Sequence, residues 1–253
     1  MDKQFRPRLT SQEYDYIKSI RSSKGGVGII GDTHEPFCHP DYRDFCYEVF
    51  DRFGVSQIIH IGDEVDNHAL SYHENSTEAY DVLRESELAQ EQMNKWYETF
   101  PDVKVCVGNH SALPFRKATS TGIPKRFLKT YEEIWEAPKG WKWQLQWEVD
   151  EVLYEHGTGS SGVSGARNRA IANRQSTVMG HSHSFAGVSY MASRSDIIFG
   201  MNVGCGIDVD AYAFAYGTQF PKKPTLSCGI VLDSGETAVV IPMNLGSKIQ
   251  RIK

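Results

Sequence analysis

The chain of 253 residues has no run of apolar residues long enough to cross a bilayer, so an ordinary membrane-spanning helix is not expected. Its start, Met1-Asp2-Lys3-Gln4-Phe5-Arg6, has charges with no apolar stretch behind them, so no secretory leader is expected either. Cysteine is scarce. Cys38, Cys46, Cys106, Cys205 and Cys228 are odd in number and widely spaced, which excludes a Cys-x-x-Cys zinc ribbon or dithiol motif and fits a reducing cytoplasm. A large excess of either charge is missing too. With 27 basic and 32 acidic residues the net charge is −5, so any attraction to a polyanion has to come from a local basic patch. Internal repeats, low-complexity tracts and long Pro/Ser linkers are absent, and the length suits one compact domain over 1–253.

What the chain does have is a series of short apolar runs that end in glycine and a polar residue. Val27-Gly28-Ile29-Ile30 leads into Gly31-Asp32, Gln57 to Ile61 into Gly62-Asp63, and Val103 to Val107 into Gly108-Asn109-His110. Each reads as a β-strand ending in a tight turn. Between the first two, Phe45, Cys46, Val49, Phe50 and Phe53 recur at helical spacing after His39-Pro40-Asp41 and before Gly54. Between the second and third, Ala79, Val82, Leu83, Ala89, Met93, Trp96, Tyr97 and Phe100 form the stripe of a longer helix ending before Pro101, with Glu85, Glu87, Glu91 and Glu98 on its solvated face. Alternation of strand and helix predicts a sheet that is parallel here, with functional loops at the strands' C-terminal ends.

Past residue 140 the period becomes two. Trp141, Trp143, Leu145, Trp147 and Val149 alternate with polar residues and predict one half-buried strand whose tryptophans belong to the core rather than to a base-stacking face. Further strands are expected at 152–154, 176–179, 197–199, 227–232 and 238–241, with 185–253 supplying a second sheet and 1–24 a helical extension. The simplest closure is two packed sheets with helices outside.

The polar residues at the strand ends are metal-ligand types. Gly180-His181-Ser182-His183 offers two imidazoles from one loop, and Asp32-Thr33-His34 pairs a carboxylate with an imidazole, a mixed oxygen and nitrogen set suited to Mn²⁺, Fe, Zn²⁺ or Ni²⁺. Asp63 supplies a carboxylate able to bridge two cations, Asn109 a neutral carbonyl oxygen, and His156 a further imidazole after Tyr154-Glu155.

Taken in order, Asp32-x-His34, Gly62-Asp63-x-x-Asp66, Gly108-Asn109-His110, His156 and Gly180-His181-x-His183 resemble the pattern of the calcineurin-like metallophosphoesterase superfamily, in particular its short, stand-alone, nuclease-like members. The resemblance covers residues 32–183. It implies an α/β fold, a four-layer α/β/β/α sandwich of two packed mixed sheets with flanking helices. It implies two divalent metal ions, with Mn²⁺ the first expectation: Asp32, His34 and His183 at one, Asn109, His156 and His181 at the other, and Asp63 between them. It also implies hydrolysis of phosphoesters by a hydroxide bridging the metals, His110 as general acid and Asp66 as its orienter.

Two positions depart from relatives. Asn67 stands where protein Ser/Thr phosphatases carry an arginine, and Ser111 where many relatives carry an Asp or Glu, so support there is weaker or comes from elsewhere. The first expectation for substrate is therefore a phosphodiester of a nucleotide or nucleic acid, single-stranded if polymeric. The alternatives are a phosphomonoesterase acting on a small molecule and a non-catalytic protein-binding scaffold. Arg116, Lys117, Lys125 and Arg126 follow His110 and can hold a phosphate or be a solvated loop. Arg167 opens a helix after the Gly/Ser-rich stretch 157–165, which can meet an anion or be a simple lid. His68 and His73 are expected at the surface, with the wall of the cleft as the alternative, His60 in the core, and His39 at the start of a helix.

Overall fold

The computed structural model describes residues 25–71, 81–211 and 223–243. The expectations placed on residues 1–24, Ala79 and His73 lie outside them. The first three strands and their crossover helices follow the sequence pattern: β1 Gly26–Ile30, α1 Tyr42–Phe53, β2 Val55–His60, α2 Val82–Thr99 and β3 Val103–Cys106. Gly54 ends α1 in the left-handed conformation, its N–H returning to Phe50 and Asp51. Asp81 starts α2, its side chain accepting from the Arg84 N–H at 2.8 Å.

The stretch expected to be one tryptophan-rich strand is two. β4 Trp141–Gln144 runs parallel to β3, whereas β5 Gln146–Val149 is antiparallel to β6 Val152–Glu155 in the other sheet. Leu145, 77 % exposed, is the corner at which the chain changes sheets. Alternation continues through the corner because both strands show one face to apolar neighbours, so period alone does not reveal the break. Trp141 and Trp143 are buried, as expected of core residues.

After α3 Leu113–Ser120, α4 Tyr131–Ile134 and α5 Gly165–Asn173 are assigned, the remaining strands are β7 Thr177–Met179, β8 Gly187–Ala192, β9 Ile197–Asn202, β10 Ser227–Leu232 and β11 Thr237–Pro242. Their order is β11-β10-β1-β2-β3-β4 in one sheet and β5-β6-β7-β9-β8 in the other. Only β8 and β9 of the C-terminal strands join the second sheet. β10 instead pairs antiparallel with β1, Gly28 opposite Ile230, and draws β11 with it. Both sheets are mixed, and the fold is the expected α/β sandwich.

Side chains of β1 divide between two cores. Val27 and Ile29 meet Ile59, Tyr154, Val178, Phe199 and Met201 between the sheets. Ile30 packs with Phe45, Val49, Phe50, Met93 and Trp96 beneath α1 and α2. The exposed Val82 and Leu83 do not join that stripe, while Glu85, expected in solvent, is buried on α2. Tyr42 ties α1 to the strand ends, its hydroxyl accepting from the Gly31 N–H at 3.0 Å and donating to the Ser227 carbonyl at 2.6 Å. Because β1, β2, β3, β6 and β7 share direction within their sheets, the loops after them collect along one edge.

Candidate metal centre

The turns after β1, β2 and β7 place their polar residues through left-handed backbone: His34 has φ 49°, Asp63 φ 50° and His181 φ 65°. Such conformations are costly for non-glycine residues and persist where the surroundings hold them. Here the His34 N–H donates to the Asp63 carbonyl (2.9 Å) and the His181 N–H to Asp32 Oδ2 (2.9 Å).

Three clusters of donor atoms result, each with its atoms within 4.8 Å of one another: Asp32, His34 and His183; Asp63, His156 and His181; and His34, Asp66 and His110. Asn109 joins the second, its Oδ1 3.0 Å from His156 Nε2. All seven expected ligands are thus brought together. The spacing is informative. His34 Nε2 lies 3.2 Å from His183 Nε2, His183 Nε2 3.0 Å from Asp32 Oδ2, and His156 Nε2 3.0 Å from Asp63 Oδ2. Donors about 2.1 Å from one cation and at right angles to each other stand about 3 Å apart.

Two atoms test whether cations fit. Among the described residues, Asp32 Oδ1 is buried and accepts no hydrogen bond, and Asp63 Oδ2 is buried with an imidazole nitrogen rather than a backbone N–H beside it. A buried carboxylate oxygen without a donor is costly unless a positive charge meets it. Electrostatics agree. Burial opposes ionisation of Asp63, yet His156, His110 and His34 hold its carboxyl well below the usual carboxylate range. In return, against burial, Asp63 and Asp32 push His156 up to about 9. A cation among the same donors competes with that proton. The residues fit a pair of divalent ions.

The third cluster is of another kind. His34 Nδ1 meets Asp66 Oδ1 at 2.5 Å, which leaves His34 Nε2 facing Asp32 and His183. The same Asp66 reaches His110: His110 Nδ1 lies 2.7 Å from the Asp66 carbonyl and 3.1 Å from Oδ1. Burial lowers the pKa of His110, but Asp63 and then Asp66 outweigh it and raise it to about 10. Asp66 therefore orients two imidazoles, one facing the metal donors and one beside them.

Several supporting groups were not foreseen. Asn67 donates through Nδ2 to the His110 carbonyl at 3.1 Å, fixing the loop that carries the imidazole. At Ser111, where support was expected to be weaker or to come from elsewhere, the hydroxyl donates to Glu64 Oε2 at 2.6 Å, and the Trp143 indole donates to Glu64 Oε1 at 3.0 Å. Glu35 accepts from the Trp96 indole at 2.8 Å. Burial pushes both glutamates up to about 7. Each directly follows a predicted ligand, and that adjacency is the only sequence signal they carry. His60 is buried, its pKa pushed down to about 3 by burial, with Thr33 Oγ1 3.0 Å from Nε2. His39 accepts from the Asp41 N–H at the start of α1. His68, expected at the surface, is buried, because its turn packs under Glu85. The cations Arg116, Arg126 and Arg167 are exposed, and Lys117 is half-buried, its Nζ donating to the Ser71 carbonyl at 3.4 Å.

Comparison with known proteins follows the same lines. The calcineurin-like phosphoesterase family matches over residues 26–194, more than half of the chain, and the chain belongs to that family. Divalent metal ions and metal-dependent phosphoester hydrolysis in general come with that membership. No curated relative matches by sequence. Among solved structures, vacuolar protein sorting 29 from Cryptosporidium parvum is similar at 12 % identity, over 88 % of this chain and 92 % of that one, with a TM-score of 0.44. The phosphoesterase Yfce from E. coli is similar at 15 % identity over 85 % and 98 %, with a TM-score of 0.41. The Pseudomonas putida nuclease MPE is similar at 12 % identity over 85 % and 86 %, with a TM-score of 0.31. Likeness of this degree carries no argument about activity.

Proposed function

We propose that this calcineurin-like phosphoesterase hydrolyses phosphodiesters of nucleotides or nucleic acid at two divalent metal ions, Mn²⁺ first among them. The observation that carries the reading is the pair of buried carboxylate oxygens, Asp32 Oδ1 without a hydrogen bond and Asp63 Oδ2 with imidazole nitrogen beside it, while further imidazoles converge on the same aspartates. Asp32, His34 and His183 would hold one ion, Asn109, His156 and His181 the other, and Asp63 both. When bound, such ions neutralise phosphoryl oxygens and make a nucleophile of water at neutral pH.

The protein's own contribution is position and a proton. Asp66 holds the Nδ1 edge of His110, so Nε2 is the atom left to meet a leaving group. Because Asp63 and Asp66 favour the protonated ring, His110 can protonate a departing alkoxide. Asn67 supports a diester over a monoester, since its amide is engaged with the His110 carbonyl and offers no guanidinium to a dianionic phosphate.

The test is an assay of Mn²⁺-loaded protein on bis(p-nitrophenyl) phosphate, p-nitrophenyl phosphate, a 2′,3′-cyclic nucleotide and single-stranded DNA. The diesters should be preferred. His110→Ala should keep its metal and lose about 10²- to 10⁴-fold in turnover with a poor leaving group, but much less with nitrophenolate. Preference for the monoester would sink the diesterase reading, and equal losses for both leaving groups would remove His110 as the acid.

A further inference from the structure

The chain leaves the body of the protein at Phe115, just after the His110 loop, and returns at Tyr131, with fifteen residues between. Its points of departure and return are clamped together, the rings of Phe115 and Tyr131 lying 4.5 Å apart between centroids. Between them, α3 stops at Ser120 and the chain reverses: Gly122 is left-handed at φ 78° and the Ile123 N–H donates to the Ala118 carbonyl at 2.9 Å. A single 3₁₀ turn, Lys125–Phe127, follows, and the Thr130 capping box restarts the chain as α4. Residues 116–130 are thus a closed, protruding lobe.

Its composition is strongly basic. Within 111–130 there are five cations, Arg116, Lys117, Lys125, Arg126 and Lys129, and no acidic residue, in a chain whose net charge is −5. Arg116, Lys125 and Arg126 are exposed and form no ion pair among the described residues, in contrast to Arg84, which pairs with Glu87, and Arg169, which pairs with Glu155. Phe127 is 68 % exposed, and the Arg126 guanidinium lies over its ring, 4.9 Å from the centroid. The ring therefore keeps apolar surface in water beside unpaired cations.

We propose that this lobe binds a single strand of nucleic acid, with Phe127 and Arg126 stacking on a base and Arg116, Lys125 and Lys129 meeting phosphates. The inference deepens the phosphodiesterase reading and rests on it for the direction of the strand, which would pass from the lobe to His110. α3, at 1.5 Å per residue about 12 Å long, separates the two places by no more than a few nucleotides. An aromatic face ringed by cations matches unstacked bases joined by phosphates, whereas duplex DNA hides its base faces and would leave Phe127 unused. An anionic membrane would use the cations, but it rewards a far larger apolar face than Phe127 and Ile123 provide.

The test is the anisotropy of a fluorescein-labelled oligothymidylate mixed with the metal-loaded full chain in a stopped-flow cell, so that binding is read before turnover, at a series of salt concentrations. Arg116→Gln/Lys125→Gln/Lys129→Gln should lower the slope of log affinity against log salt by about 2, at roughly 0.7 per phosphate contact. Phe127→Ala should weaken binding about 5- to 100-fold with the slope unchanged, and Phe127→Trp should restore it. Lys95→Gln and Lys142→Gln, elsewhere on the surface, should change nothing. No binding by the unaltered chain, equal weakening by the Lys95 and Lys142 changes, or equal affinity for duplex would overturn the inference. So would binding of phosphatidylserine vesicles, in preference to the strand, through the same residues. Hydrolysis of bis(p-nitrophenyl) phosphate by the same preparation separates the two readings: hydrolysis without strand binding removes the lobe's role alone, and strand binding without hydrolysis removes the phosphodiesterase alone.

Discussion

Asp63 divides its carboxylate between two tasks. Oδ1 accepts the N–H groups of His110 (2.8 Å) and Ser111 (3.3 Å), which fixes the loop after β3, while Oδ2 is left to face His156. That arrangement needs Gly108, because a Cβ there would stand 2.0 Å from Asp63 Oδ1. Gly180 stands likewise against Asp32, where a Cβ would come within 2.1 Å of Oδ1. Gly108→Ala is therefore expected to displace the carboxylate and lower metal content while the circular dichroism stays that of a folded chain. Full metal content in that variant would show that the close approach is unnecessary. These glycines and the donors beyond them were legible in sequence as strand ends followed by ligand-type residues. Ser111, Glu64 and Trp143 were not, because residues 47 and 79 apart in sequence meet only once β3 and β4 lie beside the turn after β2.

Among the elements, legibility ran out where a strand's partner is chosen by topology. β1, β2, β3 and the two long helices carry their own signals, in β-rich runs, in apolar residues at helical spacing and in Gly54. Nothing local tells β10 to pair with β1 rather than to extend the second sheet, nor tells the chain to turn at Leu145. β8 was missed because its side chains are half-buried at an edge and alternate weakly. The start of α2 shows a different failure. Glu85 is turned inward by a job that periodicity does not register: its two oxygens accept the N–H groups of His68 (2.6 Å) and Ala69 (2.8 Å), holding the 3₁₀ turn His68–Leu70 directly after Asp66 and Asn67. Removing the carboxylate leaves those donors unmet. Glu85→Ala is expected to cost roughly 1–3 kcal/mol in chemical denaturation, whereas Glu91→Ala and Glu98→Ala, on the exposed face, should stay within about 0.5 kcal/mol. Equal costs for all three would mean that Glu85 holds nothing.

At the scale of the whole molecule, the two-sheet architecture explains why donors from residues 32 to 183 serve one site. Each sheet contributes strands whose C-terminal ends open on the same edge, Asp32, Asp63 and Asn109 from the first sheet and His156, His181 and His183 from the second. Asp63 lies at the seam, its oxygens touching the loop after β3 on one side and the imidazole after β6 on the other. No helix among the described residues is long and apolar enough to cross a membrane. The helix α3 begins three residues after His110, so the basic residues of 116–130 follow directly on the loop that carries that imidazole while the chain as a whole stays acidic.

The central claim is that seven side chains from two sheets form one site for two ions. Its most direct test is the metal content of the full chain, stripped with chelator, reloaded with Mn²⁺, desalted and read by atomic emission, beside Asp63→Asn. Two ions per chain are predicted, falling to one or none when the shared carboxylate is replaced by an amide. A single ion in the unaltered chain, or two retained by Asp63→Asn, would contradict the account.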